Sequence, residues 1–186
     1  IRRGAKQVQG YLGKYEQVLA KNTSLRPYML TLTVKNGHDL PERFNHLQSS
    51  MKKFMKRRRD FLSAGLGSSQ LAKSEGGVFS YELTKSKFGW HPHCHMVVML
   101  DPQNPIDFPF HIRPVFHKPD AWSKLSPLEK KNEKALRKKY TDAIQDSGLC
   151  KEWQKITGDS KIVDLRPIEG DPAQGFVEVF KYALKF

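Results

Sequence analysis

The segment Trp90–Leu100 (WHPHCHMVVML) constrains the fold of this chain more than any other. Histidine alternates with other residues in its first half, and its second half is an unbroken apolar run. This pattern predicts a β-strand anchored in a core. The segment Val78–Lys85 (VFSYELTK) also predicts a strand, and a short stretch of turn residues separates the two. We therefore expect an antiparallel hairpin with His91, His93 and His95 on one face, because alternate residues of a strand share a face.

Two histidines and a carboxylate in this hairpin predict a divalent metal site. If the strands pair around residues 87 and 88, the numbers of opposed residues sum to about 175, which sets Glu82 opposite His93. Two histidines with one carboxylate leave coordination positions open for water and a phosphate oxygen. The expected ligands are His93, His95 and Glu82, with His91 as the competing third ligand, because a one-residue slip would turn Glu82 away. The alternative is a cluster of surface histidines that binds no metal.

Apolar periodicity and turn residues divide the rest of the chain into helices and strands. The predicted order is α-β-α-β-β-α-β-α, which indicates an α+β domain with a central antiparallel sheet flanked by helices. A Pro-rich loop is expected from Asp101 to Leu125, and Leu136 and Tyr140 are expected on the buried stripe of the helix that follows it. Helices are predicted over 5–21, 41–63, from the capping box at Ser126 to Gly148, Leu149–Thr157 and Ala173–Phe186, and further strands over Tyr28–Lys35 and Lys161–Ile168.

Length and composition fit one globular domain. The chain has 186 residues, which suits a single domain of ordinary size. It contains neither an apolar run of about 18 residues nor a signal peptide. Its two cysteines are too few for a disulfide framework, so a reducing cytoplasm is the expected compartment. The chain starts at Ile1 and stops inside a predicted helix. We therefore expect residues 1–186 to be one domain excised from a longer protein, with residues 1–25 as an N-terminal helical extension.

The charge of the chain indicates a polyanionic partner. Lys and Arg number 32 against 19 Asp and Glu, a formal net charge of +13, which favours nucleic acid before a membrane. Much of this charge lies on the helix predicted over 41–63, opposite an apolar stripe. The cationic side is either a solvated face or a surface that contacts phosphates. Its members are Lys52, Lys53, Lys56, Arg57, Arg58 and Arg59, and the apolar stripe is Phe44, Leu47, Met51, Phe54 and Met55.

The last predicted helix carries a polar stripe that contains a tyrosine. Glu178, Lys181, Tyr182 and Lys185 have helical spacing and share one side. A phenol is a poor nucleophile at its usual pKa of about 10. A metal-bound phosphate and adjacent cations would stabilise the phenolate and the developing charge, and Glu178 could act as a general base. The alternative is an ordinary exposed tyrosine among surface ion pairs.

Taken together, these segments resemble the single-tyrosine HUH endonucleases, and among them the rolling-circle plasmid replication initiator (Rep) family of bacteria and archaea. The resemblance covers residues 26–186, and the combination of GWHPHCH with a downstream EVFKY is specific. Cys94 departs from the family, which usually has a bulkier apolar residue there, and the family's N-terminal cysteine-rich and C-terminal segments are missing. The matching pieces are Tyr28–Asn36 (YMLTLTVKN), Tyr81–Thr84 (YELT), Gly89–His95 (GWHPHCH), Ile162–Arg166 (IVDLR) and Glu178–Lys185 (EVFKYALK).

The resemblance implies a fold and a reaction. The fold is an HUH/RRM-like palm, an antiparallel sheet of about five strands with flanking helices. In the reaction, Tyr182 attacks a phosphodiester of single-stranded DNA at a hairpin or nick site of a plasmid origin and forms a 5′-phosphotyrosine. The free 3′-OH then primes a host polymerase, with a host helicase as a further partner. Mg²⁺ or Mn²⁺ held by the histidines polarises the phosphate, Glu178 activates water or orients the terminating attack, and Lys181 and Lys185 stabilise phosphate charge.

Two other functions fit the same residues. A transposase or conjugative relaxase would use the same chemistry on another DNA. A non-catalytic module would bind single-stranded nucleic acid through the basic helix and the sheet. In that second case the histidine strand is structural and Tyr182 is a plain surface residue.

Overall fold

The computed structural model describes residues 2–110, 117, 119–170, 177 and 179, which form a four-stranded antiparallel sheet with helices packed on it. The sheet order is β2-β3-β1-β4. The predicted α+β class is confirmed, with four strands in this part of the chain. In chain order the elements are α1 (Arg2–Lys21), β1 (Arg26–Thr33), α2 (Leu40–Ala64), a short 3-10 helix (Gln70–Lys73), β2 (Ser74–Ser86), β3 (Gly89–Leu100), α3 (Pro119–Ser123), α4 (Pro127–Asp146), α5 (Gly148–Thr157) and β4 (Val163–Pro167).

The β2–β3 hairpin has the register that the sequence predicted. Glu82 pairs with His93 and Thr84 pairs with His91. Gly89 closes the turn at a φ of 98°, in the region that favours glycine, and a Cβ there would collide with the backbone of Gly37. The turn geometry and this close approach hold the register, so the histidines and Glu82 lie on the same face of the sheet.

The main core lies between the other face of the sheet and helices α2 and α5. Its apolar side chains come from alternate positions of β1 and β3, as strand periodicity requires. Of the stripe predicted on α2, Met55 is 37% exposed and Phe44 is only partly buried, so the helix presents a narrower apolar face than its sequence indicated. The fully buried members include Leu30, Leu32, Leu47, Met51, Phe54, Cys94, Val98 and Trp153.

Trp153 is the largest fully buried side chain. Its ring packs edge-on against Phe54 at a centroid distance of 5.7 Å, and its indole N–H donates to the carbonyl of Thr33 at 2.8 Å. It therefore ties α5 to both α2 and the end of β1. Through the hydrogen bond to Thr33, Trp153 holds β1, the strand next to the histidine strand β3.

We expect Trp153→Ala to lower the free energy of unfolding by about 3–5 kcal/mol, because it leaves a large cavity and an unpaired carbonyl. Urea unfolding followed by circular dichroism measures this change. The exposed aromatic Phe88 is the control, and Phe88→Ala should shift the same quantity by less than about 0.5 kcal/mol. A loss below about 1 kcal/mol for Trp153→Ala would contradict its role in the core.

Two local expectations differ from the structure. The segment from Asp101 to Leu125 contains a short helix, α3. Leu136 is 44% exposed, because Tyr140 and Glu133 form the buried side of α4 instead. Of the helix predicted over Ala173–Phe186, only Val177 and Val179 lie among the described residues, and both are helical.

The capping box predicted at Ser126 is present. The Ser126 hydroxyl accepts from the backbone N–H of Glu129, and the Glu129 carboxylate accepts from the N–H of Ser126.

Helix α1 lies within the extension predicted over residues 1–25 and packs on the histidine face of the sheet. There Tyr11, Leu12 and Tyr15 pack against a small apolar cluster that contains Val97. None of the described helices is long and apolar enough to cross a membrane.

Candidate metal centre and nucleic-acid interface

The histidines of β3 lie on the sheet face opposite the main core. His91, His93 and His95 alternate with the buried residues Pro92 and Cys94. Burial raises the pKa of the Cys94 thiol well above its usual range, and its side chain packs into the main core. As expected from the strand alternation, Cys94 is not part of the histidine cluster.

The closest contact in this cluster joins His95 and Glu82. The Nε2 atom of His95 lies 2.9 Å from Oε2 of Glu82, and both side chains are about four-fifths buried. Glu82 is directly opposed to His93 in the register, but its carboxylate reaches diagonally along the hairpin to His95. The predicted carboxylate therefore meets the predicted histidines through His95.

Two threonines of β1 orient the histidine rings. Thr31 Oγ1 lies 3.1 Å from Nδ1 of His95, and Thr33 Oγ1 lies 3.2 Å from Nδ1 of His93. Each threonine is the direct register partner of the histidine it contacts. Such contacts fix the ring orientation, which is the role that outer partners have at metal-bound histidines. Neither threonine was predicted as part of the site, although the two alternate with leucines in the strand segment YMLTLTVKN.

His91 is the third histidine of the cluster. Its ring centroid lies 4.2 Å from that of His93, and its buried Nε2 has no hydrogen-bond partner in the described part of the chain. The Nε2 of His93 lies 3.5 Å from the hydroxyl of Thr84. A buried imidazole nitrogen without a partner is a donor atom available to a ligand.

The environment favours the neutral forms of His91 and His93. Burial lowers the pKa of His93 to about 4, and the neighbouring His91 and His95 contribute to this shift. Burial also lowers the pKa of His91. Because only a neutral imidazole can bind a metal ion, these shifts keep lone pairs available at neutral pH.

One pair of side chains in the cluster has the spacing that a divalent ion requires, but a third ligand is not yet in position. Two ligands in cis positions of an octahedral site at about 2.1 Å lie about 3.0 Å apart, close to the distance between His95 Nε2 and Glu82 Oε2. No group of three His, Cys, Asp or Glu side chains within the described residues is arranged to hold a metal ion. A third donor, from His93 or His91, would therefore have to rotate toward the pair.

The chain returns to the histidine face at Val179. This residue is fully buried against Val97, and its carbonyl accepts a hydrogen bond from the hydroxyl of Ser80. Ser80 is the register partner of His95. The C-terminal segment therefore contacts the sheet directly beside the His95–Glu82 pair. The predicted residues Glu178, Lys181, Tyr182 and Lys185 lie outside the described residues.

The six cations predicted as one phosphate-contacting face of α2 separate into two groups. Lys52, Lys53, Lys56 and Arg59 are exposed. Arg57 instead pairs with Glu152 at 3.3 Å and donates to the carbonyl of Ser68. Arg58 donates to the carbonyls of Leu71 and Ser74 at 3.3 and 2.8 Å, so it fastens α2 to the start of β2. The prediction that all six share one solvent face was therefore wrong for Arg57 and Arg58.

Comparisons with protein-family models, with curated proteins and with solved structures found no match to this chain. The interpretation of the site therefore depends on its own geometry and on the motifs of the sequence.

Proposed function

We propose that this chain is a metal-dependent endonuclease that nicks and rejoins single-stranded DNA through a covalent bond to Tyr182. The observation that supports this most is the contact between Val179 and Ser80, beside the His95–Glu82 pair. Tyr182 follows Val179 by three residues, so its Cα lies at most about 11 Å from that of Val179, whatever the conformation between them. This chain length permits the phenol to reach a phosphate bound at the histidines.

In the proposed reaction the phenolic oxygen of Tyr182 attacks the phosphorus of a phosphodiester. The new bond joins phosphorus to the tyrosine oxygen, and the bond between phosphorus and the 3′ oxygen breaks. The phenol loses its proton, and the leaving oxygen gains one to become a free 3′-OH. A Mg²⁺ or Mn²⁺ ion bound by Glu82, His95 and either His93 or His91 would polarise the phosphate. Lys181 and Lys185 stabilise phosphate charge, and Glu178 activates water or orients the attack in the terminating step.

The rest of the proposal concerns the biological setting. The substrate is a hairpin or nick site at a plasmid origin, and the reaction begins rolling-circle replication. The 3′-OH passes to a host polymerase, which acts with a host helicase in the cytoplasm of a bacterium or archaeon. The net charge of +13 supports the choice of a polyanionic substrate.

The test is to incubate the protein with a random pool of single-stranded oligonucleotides and Mn²⁺, with EDTA as the control. Adducts that resist SDS are isolated, and mass spectrometry maps the modified residue. An EDTA-sensitive adduct on Tyr182 supports the proposal, and sequencing the attached strands gives the nick site. Tight binding without any adduct, from a pool large enough to contain the site, refutes it.

We expect the double variant Thr31→Val/Thr33→Val to weaken Mn²⁺ binding by about 10- to 100-fold, because the histidine rings lose the groups that orient them. Titration of the protein with Mn²⁺, followed by electron paramagnetic resonance, measures the affinity without any cleavage. Thr31→Ser/Thr33→Ser keeps both hydroxyls and should bind like the wild type. The control is Thr141→Val on the exposed side of α4. Unchanged affinity in the valine variant would contradict the orienting role.

A non-catalytic module that binds single-stranded nucleic acid is the second candidate function. One observation favours it, namely that no three donor side chains of the described residues form a ready metal site. Under this proposal the protein binds single strands in EDTA as well as in Mn²⁺ and forms no adduct. The same incubation therefore separates the two functions.

A further inference from the structure

A groove runs between α2 and the edge strand β2, on the sheet face opposite the histidines. We call it the β2-edge groove. It has an apolar and aromatic floor and a cationic rim, and none of the candidate metal ligands lines it. The floor consists of Met51, Met55, Phe79 and Tyr81, and the rim consists of Lys52, Lys56 and Arg59.

The floor presents an aromatic ring to solvent. Phe79 is 40% exposed, although the next residue on its strand, Ser80, is buried. Its ring meets Tyr81 at a centroid distance of 5.6 Å, and Tyr81 is held from the other side by Phe44 at 5.4 Å. Met55 adds a side chain that is 37% exposed. The two ring contacts therefore hold Tyr81 in place within the floor, and Phe79 and Met55 remain as its exposed apolar part.

The rim carries more positive than negative charge. Lys52, Lys56 and Arg59 recur at helical spacing along one side of α2. Asp60 forms an ion pair with Lys56 and lies 3.9 Å from Arg59. Lys52 forms no ion pair within the described residues. Three cations against one acid beside an apolar floor match a ligand that combines phosphates with flat apolar groups.

We propose that the β2-edge groove binds a stretch of single-stranded nucleic acid that flanks the nicked phosphate. This inference rests on the proposed function. Bases stack on Phe79 while the phosphates lie along the rim, the combination by which proteins hold single strands. A duplex keeps its bases stacked on one another and cannot cover the floor in this way.

The strand order explains how one nucleic acid could reach both places. On β2, Ser80 and Glu82 face the histidines, whereas Phe79 and Tyr81 face the groove. The two surfaces are therefore the two sides of one strand, which is an edge of the described sheet. A single strand that passes around this edge would leave the metal site and enter the groove within a short length.

The test measures binding of a fluorescent oligothymidylate in EDTA, where no cleavage occurs. Phe79→Ala should weaken binding by about 5- to 100-fold, the range for loss of one stacked base. The triple variant Lys52→Gln/Lys56→Gln/Arg59→Gln should reduce the slope of log affinity against log salt by about 2, the value for three single-strand phosphates. Matched controls are Phe88→Ala and the exposed α4 lysines in Lys131→Gln/Lys134→Gln/Lys138→Gln, which should bind like the wild type.

Two further measurements distinguish the loss of base stacking from a general disturbance of the fold by the substitution. On an abasic strand the loss caused by Phe79→Ala should disappear, and Phe79→Leu, which keeps the apolar volume, should weaken binding to oligothymidylate but not to the abasic strand. Equal losses on both strands, a duplex that competes as well as the single strand, or unchanged binding in the groove variants would each overturn the proposal. Adduct formation on Tyr182 is scored separately. An adduct with unaffected groove variants refutes the groove alone, and groove-dependent binding without an adduct refutes the nuclease alone.

Discussion

Tyr182→Phe is expected to eliminate every SDS-resistant DNA adduct while the protein still binds the same single strand. The substitution removes one oxygen, the atom that would form the bond to phosphorus, and keeps the aromatic ring. Binding should therefore change by no more than about twofold, the range for a surface substitution of about 0.5 kcal/mol. Labelled oligonucleotide and denaturing gels measure the adduct, and fluorescence anisotropy in EDTA measures the affinity.

The controls for this experiment are the tyrosines of α1, which pack on the same face of the sheet as the histidines. Tyr11→Phe and Tyr15→Phe should both keep the adduct. Burial raises the pKa of Tyr15, and the nearby Arg26 offsets this only in part, so its phenolate is harder to form than that of an exposed tyrosine. An adduct that survives Tyr182→Phe but is lost in Tyr15→Phe would move the nucleophile to α1 and refute the assignment.

The register of the hairpin that carries the histidines could be predicted because its determinants are local, although β2 begins at Ser74, four residues before the predicted start. Strand alternation assigns faces, and a short turn closed by Gly89 fixes which residues oppose each other. Strand alternation also correctly predicted that Cys94 packs into the core. Local sequence patterns are sufficient to predict this pairing because the two strands are adjacent in the chain.

Contacts between distant segments could not be predicted in the same way. Thr31 and Thr33 contact the histidines only because β1 lies beside β3, although the paired residues are 64 and 60 positions apart in the chain. Arg57 and Arg58 stand in a continuous run of cations, and only their partners elsewhere, Glu152 and Ser74, turn them inward. The run of cations therefore predicted a larger exposed basic face than α2 has. The β2-edge groove could not be predicted from the sequence, because it forms only where β2 lies next to α2.

The double variant His93→Ala/His95→Ala is expected to lower metal-dependent adduct formation by at least about 100-fold and to abolish tight Mn²⁺ binding. His95 supplies the nitrogen that already lies 2.9 Å from Glu82, and the lowered pKa of His93 keeps its imidazole neutral. The rings are on the face away from the main core, so the melting temperature should fall by only a few degrees, corresponding to about 2 kcal/mol. Adduct assays, Mn²⁺ titration and thermal unfolding are run on the same preparation.

Single variants then identify the third ligand. If His93 completes the site beside the His95–Glu82 pair, His93→Ala should lose Mn²⁺ affinity and His91→Ala should keep it, and the reverse order assigns the third position to His91. His38→Ala, which removes an exposed histidine outside the cluster, is the control and should behave like the wild type. Adduct formation that persists in the double variant and stays sensitive to EDTA would show that the metal is held elsewhere. The histidine strand would then be structural, and the pairing of Thr31 and Thr33 with its rings would serve the fold of the sheet.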